Sequence, residues 1–228
     1  MDYRVNDFGQ PIGLPVDLPL PRPFPTHAVL NGRHVTLVPM AEDHAEDFYE
    51  VFDDPAGWTY LGDEQPFADL NDARARVAAF VPSRDPLFYT ALVEGRAVGF
   101  LSLLRINPGA ASIEVGFIHL SPALQGTVAA TEAQYLLMRH VFDDLGYRRY
   151  EWKCDALNAP SRSAALRLGF TFEGIFRQAL VYKGRNRDTA WFSVIDGEWP
   201  ALRARFERWL DPANFDADGR QKARLNDL

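Results

Sequence analysis

The stretch "LSPALQGTVAATEAQYLLMRHVFDDLGY", residues 120–147, decides how this 228-residue chain is read. It leaves a run of alternating apolar residues, turns through "QGTVAATEA" (125–133), and continues with apolar side chains at Ala133, Leu136, Leu137, Val141 and Leu145. That spacing is helical, and Gly146 stands where a left-handed residue ends a helix. A strand-to-helix junction of this kind is a natural anion site. The first four N–H groups of a helix lack partners, and its N-terminus carries about half a positive elementary charge. Gly126, Ala129 and Ala130 are small enough to let a phosphate approach the backbone, and Thr127 and Thr131 add hydroxyl donors. The same residues would also suit a tight turn and N-cap before an ordinary helix, so the flanking sequence has to decide.

Upstream, "HVTLVPM" (34–40) alternates as a strand, "AEDHAEDFYEVF" (41–52) places Ala45, Phe48, Tyr49 and Phe52 on one helical face, and "DARARVAAFV" (72–81) reads as a second helix. Three closely spaced strands follow, "LFYTALVE", "AVGFLSLLRI" and "SIEVGFIHLS", joined by the turn signals "EGR" and "NPGAA"; they predict an antiparallel meander. After the helix come a strand in "RRYEWKCDAL", a short helix in "NAPSRSAALRLGF", two strands around "GRNR" and a closing helix in "EWPALRARFERWL". The order predicts an α/β domain over 33–210, a mixed, largely antiparallel sheet with helices on both faces. Residues 1–32, dense in proline and glycine, predict an extended arm whose Ile12, Leu14, Val16, Leu18, Leu20 and Phe24 pack on the domain or on a partner subunit. Residues 211–228 read as a polar tail.

Composition removes several function classes. Thirty-one acidic against 24 basic residues leave a net charge of −7, without the basic face that a nucleic-acid binder needs. No apolar run approaches the roughly 18 residues of a membrane span. A single cysteine, Cys154, precludes an internal disulfide framework and fits a reducing, cytoplasmic setting. Five histidines stand at no metal-ligand spacing, so no metal site is expected.

"QGTVAATEA", followed about 30 residues later by "NAPSRSAALRLGFTFEG", together with the order of elements, resembles the GNAT acyltransferase superfamily and within it the ribosomal-protein N-terminal acetyltransferases (RimJ/RimL-like). The resemblance covers roughly residues 33–200. It implies acetyl-CoA or another acyl-CoA as co-substrate, with its pyrophosphate on the backbone of Gln125, Gly126, Thr127, Val128, Ala129, Ala130 and Thr131. It also implies that the strand ending near Leu120 splays from "RYEWKCDAL" to admit the pantetheine arm. Ile118, His119 and Leu120 would offer backbone N–H groups to the pantetheine and to the thioester carbonyl, where a donor stabilises developing negative charge. Asn158 and Ser161 match the family's Asn-x-x-Ser, Ser161 as proton donor to the departing thiolate and Asn158 as a contact to pantetheine or to that acid.

Two positions depart from the pattern. Val128 stands where the family has a second glycine; a β-branched residue avoids positive φ, so its side chain is expected to point away from the phosphates. Leu180 stands where some members of the branch carry a glutamate base. Glu114 is the alternative base, with Asp155, Asp188 and Tyr182 as further candidates. The missing glutamate bears on the substrate. At pH 7 roughly 15% of an α-amine but only about 0.04% of a lysine side chain is neutral. A primary α-amine of a peptide, or a small-molecule amine, is therefore the expected acceptor. A CoA-binding or regulatory domain that has lost turnover is the alternative, and a homodimer is expected from the apolar arm.

Overall fold

The computed structural model describes residues 2–228. Ten strands form in chain order: β1 (Tyr3–Val5), β2 (Pro11–Gly13), β3 (Leu30–Asn31), β4 (Thr36–Pro39), β5 (Leu87–Val93), β6 (Arg96–Asn107), β7 (Ser112–Leu120), β8 (Arg149–Asp155), β9 (Thr171–Tyr182) and β10 (Arg185–Ile195). The α-helices are α1 (Ala45–Val51), α2 (Leu70–Phe80), α3 (Val128–Arg139), α4 (Ala159–Arg167) and α5 (Trp199–Leu210). Eight strands make one sheet in the order β3-β4-β5-β6-β7-β8-β10-β9. Only β7 and β8 run parallel; the other neighbours are antiparallel. That parallel pair is where the chain crosses over through α3, as a parallel connection requires.

Each face of the sheet is covered by helices. On one face α3 and α5 bury Leu101, Leu103, Ile113, Leu137, Val141, Phe192 and Phe206. On the other, α1 and α2 cover Phe48, Phe52, Trp58, Val77, Phe88 and Phe100. Burying one such side chain is worth about 1.5–3 kcal/mol. Residues 41–52 begin as a 3-10 turn, Glu42–His44, before α1 proper. Ala45, Phe48 and Phe52 are buried, whereas Tyr49 is 40% exposed at the margin of the expected face.

α3 is the central helix. Every residue from Ala129 to Met138 is buried, and a π turn, His140–Asp144, carries it to Gly146. Its position is fixed by Glu132, whose carboxylate accepts the backbone N–H groups of Arg33 (2.9 Å), His34 (2.6 Å) and Val35 (3.1 Å). Gly32 is the residue this grip demands, because a Cβ there would lie 2.5 Å from Glu132 Oε2.

The N-terminal residues divide in two. β1 and β2 pair as an isolated ribbon with Tyr3, Val5, Phe8, Leu14 and Val16 exposed. From Arg22 onward the segment is docked: the Arg22 guanidinium donates to the Leu145 carbonyl, and the Tyr147 hydroxyl donates to that of Pro23. Leu30–Asn31 belong to the main sheet. The C-terminal segment is tied to α5 by a Trp209–Gln221 hydrogen bond and by buried Leu225. No helix among the described residues is long and apolar enough to cross a membrane.

Candidate active site

The parallel pairing of β7 with β8 stops early. Ser112 to Val115 are in register with Arg149 to Trp152, and beyond that the strands part. β8 continues on β10 through Cys154 and Asp155, while β7 continues on β6 only. The departure has a local cause in β7. Between the pairs Gly116–Ser102 and His119–Phe100 it carries an extra residue, and Phe117 within that bulge has φ 50°. A bulge re-aims backbone groups and ends regular pairing. The wedge so opened is a cleft of about 570 Å³, lined among others by Glu114, Gly116, Ile118, His119 and Leu120 of β7, by Trp152 and Cys154 of β8, and by Asn158 and Ser161.

At one mouth lies the β7–α3 loop, with Gln125, Gly126 and Ala130 on the cleft wall. Over residues 125–131 four N–H groups are already used: Gln125 donates to the Ser121 carbonyl, Thr127 to that of Leu124, Ala130 to Thr127 Oγ1, which caps the helix, and Thr131 to the Thr127 carbonyl. Those of Gly126, Val128 and Ala129 have no acceptor among the described residues. Gly126 takes a positive φ of 73°; Val128 opens the helix and packs against the α3-side core, lining a separate depression with Val35, Val98 and Leu124. Both threonine hydroxyls are spent inside the chain, Thr127 on the Leu124 carbonyl and Thr131 on that of Thr127. The loop therefore offers backbone N–H groups rather than hydroxyls to an anion, a nest that needs no lysine.

Deeper in the cleft, Asn158 caps α4 by accepting the Ser161 N–H at 3.1 Å. The Trp152 indole donates to Ser161 Oγ at 3.0 Å. An indole N–H can only donate, so the single serine proton is left for another acceptor. Buried Cys154 is one neighbour, its thiol pushed up by burial while the Ser161 hydrogen bond opposes that shift.

Glu114 is 4% exposed at the point where the strands part. Lys153 Nζ lies 2.9 Å and Arg105 Nε 3.2 Å from its Oε2. Burial raises the pKa of the carboxyl above its ordinary value, with Lys153 the main force opposing it. His119 stacks on Phe52 at 3.8 Å between centroids, with Trp58 edge-on, and burial lowers its pKa to about 4. Its ring is thus an uncharged part of the wall at neutral pH. Of the other proposed bases, Asp155 accepts the Tyr182 hydroxyl at 2.7 Å, and Asp188 holds the Gln178 N–H in an exposed bulge. Leu180 also lines the cleft.

One feature escaped the sequence. The turn between β9 and β10 reaches across to segment 58–63: Lys183 Nζ donates to the Trp58 carbonyl, the Lys183 N–H to Asp63, and Arg185 to the Thr59 carbonyl. Tyr60, Leu61 and Gly62 thereby become cleft-lining residues. Nothing in the local pattern of "YKGRNRD" distinguishes a solvated hairpin tip from a bridge between elements 120 residues apart.

Comparison with known proteins agrees with this geometry. A crystal structure of a GCN5-related N-acetyltransferase from Brucella melitensis superposes with a TM-score of 0.90 at 44% identity, covering 92% of this chain and 98% of that one. The ribosomal-protein-serine acetyltransferase of Escherichia coli is 26% identical over 159 residues, 68% of this chain and 88% of its own. A ribosomal alpha-N-protein acetyltransferase in complex with coenzyme A shares the fold, with a TM-score of 0.64 at 22% identity, over 74% of this chain and 99% of that one. Residues 34–171 match the acetyltransferase (GNAT) domain, and the chain belongs to that family.

Proposed function

We propose that the chain is an N-acyltransferase that moves the acyl group of acyl-CoA, most simply acetyl, onto a primary amine in one direct attack. The carrying observation is the wedge between β7 and β8, which has the open N–H of Gly126 on its wall, with those of Val128 and Ala129 in the helix turn that follows, and Glu114 and Ser161 within. A pantetheine arm along the wedge would take up hydrogen bonds that β8 no longer provides to β7. A backbone N–H of Ile118, His119 or Leu120, on the edge that β8 leaves, would hold the thioester oxygen as negative charge gathers on it. The neutral amine attacks, and Glu114 accepts a proton from its nitrogen as that becomes cationic in the tetrahedral intermediate, directly or through one water; its raised pKa suits a base. As the C–S bond breaks, Ser161 Oγ gives its proton to the thiolate and is reprotonated from solvent.

The acceptor in this reading is an α-amine of a protein or peptide end, or a small-molecule amine, in the cytoplasm. The similarity to ribosomal-protein acetyltransferases supports a peptide end, and the bridge from Lys183 and Arg185 to residues 58–63 supports an acceptor slender enough to enter beneath it. The test is thiol release from acetyl-CoA with a panel of peptides and small amines at fixed pH. A preference for lysine side chains would overturn the acceptor assignment. CoA binding without release from any amine would identify a binding or regulatory domain instead, which Leu180 in the cleft wall favours. We also propose a homodimer: the exposed apolar residues of β1 and β2 need a cover, because a ribbon of two three-residue strands is not stable alone in water. Light scattering on the intact chain and on one lacking residues 2–18 decides this.

A further inference from the structure

Arg167, in the last turn of α4, lines the cleft opposite the first turns of α3. Its Nη2 donates to Thr131 Oγ1 at 2.7 Å, and the other guanidinium donors have no partner among the described residues. No carboxylate among those residues lies within 4 Å of it, in contrast to Arg149, which is held by Glu151 and Glu173, and Arg203, held by Asp143 and Glu207. Burial pulls the Arg167 pKa below the usual arginine value with nothing opposing it. A half-buried cation without a counter-ion is a cost to the fold, and such charges are normally found paired.

The missing partner is identified by position. Thr131 is bonded to Thr127 through both its N–H and its hydroxyl, so the guanidinium is anchored to the turn that begins with the open amides of Val128 and Ala129. One turn further along α3, Gln134 is 4% exposed, lines the same cleft, and leaves Oε1 without a donor. The unpartnered cation, the open amide of Gly126 and the Gln134 carboxamide line the same cleft; a diphosphate, which only accepts, suits the first two. A guanidinium matches a phosphate through paired N–H donors, which the point charge of a lysine does not.

We infer that Arg167 is a ligand for the diphosphate of the CoA substrate, supplying the cation that a one-glycine loop in an acidic chain otherwise lacks. The inference rests on the acyl-CoA reading above. It gives the unpaired guanidinium a partner, and it places the counterpart of the unusual Val128 some 40 residues downstream on α4.

The test is calorimetric titration of CoA and dephospho-CoA into the wild-type chain, Arg167→Met and Arg167→Lys, with thermal melts of each without ligand. Arg167→Met should weaken both ligands by about tenfold or more, Arg167→Lys by less, while the ligand-free Tm of Arg167→Met stays level or rises because an uncompensated charge has gone. An unchanged Kd with a lower Tm would overturn the inference and make Arg167 a structural tie to Thr131. A loss seen with CoA but not with dephospho-CoA would also overturn it, assigning Arg167 to the ribose 3′-phosphate. If the wild-type chain binds neither ligand, the acyl-CoA reading itself fails, a result separable from any effect of the variants.

Discussion

The two halves of β7 share a strand and differ in what their backbone does. Ser112–Val115 is paired on both sides, to β6 and to β8, and Ile113 and Val115 are fully buried. Gly116–Leu120 is paired to β6 alone, across a bulge, and Ile118 and Leu120 are only partly buried on the cleft wall. The first half uses its donors and acceptors on the fold. The second keeps one edge unused, and an unused ladder edge in a covered sheet costs stability unless a ligand takes it up. Glu114 stands on the last paired stretch before the opening, which explains how a carboxylate can be both buried and adjacent to the cleft.

The sharpest way to break this contrast is Glu114→Gln. If the junction residue is the base, turnover should fall by about 10³-fold, with CoA affinity measured by calorimetry nearly unchanged. A base must be deprotonated, so with a raised pKa the wild-type rate should decline with acidity from a pH above the ordinary carboxylate range; the variant should lose that limb. Ile113→Ala, one residue away in the closed half, should do the reverse. It should cost about 2–5 kcal/mol in urea unfolding and leave kcat of the folded fraction within twofold. Ser161→Ala should lower kcat by about 10²-fold without weakening CoA, and the loss should shrink with an acyl donor whose thiol is more acidic.

The smallest effect concerns the wall of the open half. His119 has its pKa lowered to about 4 in the fold against 6.5 ordinarily. A depressed pKa contributes stability that is fully present above about pH 6.5 and is lost as pH falls toward 4, because the unfolded chain takes the proton first. Up to about 3 kcal/mol is at stake. His119→Phe, which keeps a ring against Phe52, should flatten that part of the stability profile in urea melts at pH 7, 5.5 and 4.5.

Much of this was legible in the chain. The meander and the helix after residue 127 followed from periodicity and turn residues, because each is fixed by local pattern, whereas the opening between β7 and β8 was implied by the family resemblance alone. The Val128 side chain packs against the core and lines a separate depression, a direction that sterics alone had suggested. What stayed hidden was set by contacts across the fold. That Thr127 and Thr131 spend their hydroxyls on carbonyls, that Trp152 aims at Ser161, and that Arg167 reaches Thr131 from another helix are facts about partners 3 to 36 residues away in space-filling register, not about spacing. The Lys183 bridge spans 120 residues or more and leaves no local signal.

Glu132 bears on where the working unit begins. The helix whose first turn holds the open amides of Val128 and Ala129 presents, one turn later, a carboxylate to the amides of Arg33, His34 and Val35. In the proposed function amide–anion recognition is used twice on α3, with the donor and acceptor roles exchanged. A fragment cut at residue 34, where the family match starts, would keep every cleft residue and still remove Gly32 and Arg33, the hairpin that meets this carboxylate. Anyone transplanting the cleft into another scaffold would need to carry the β3–β4 turn with it, as part of the loop in all but sequence order.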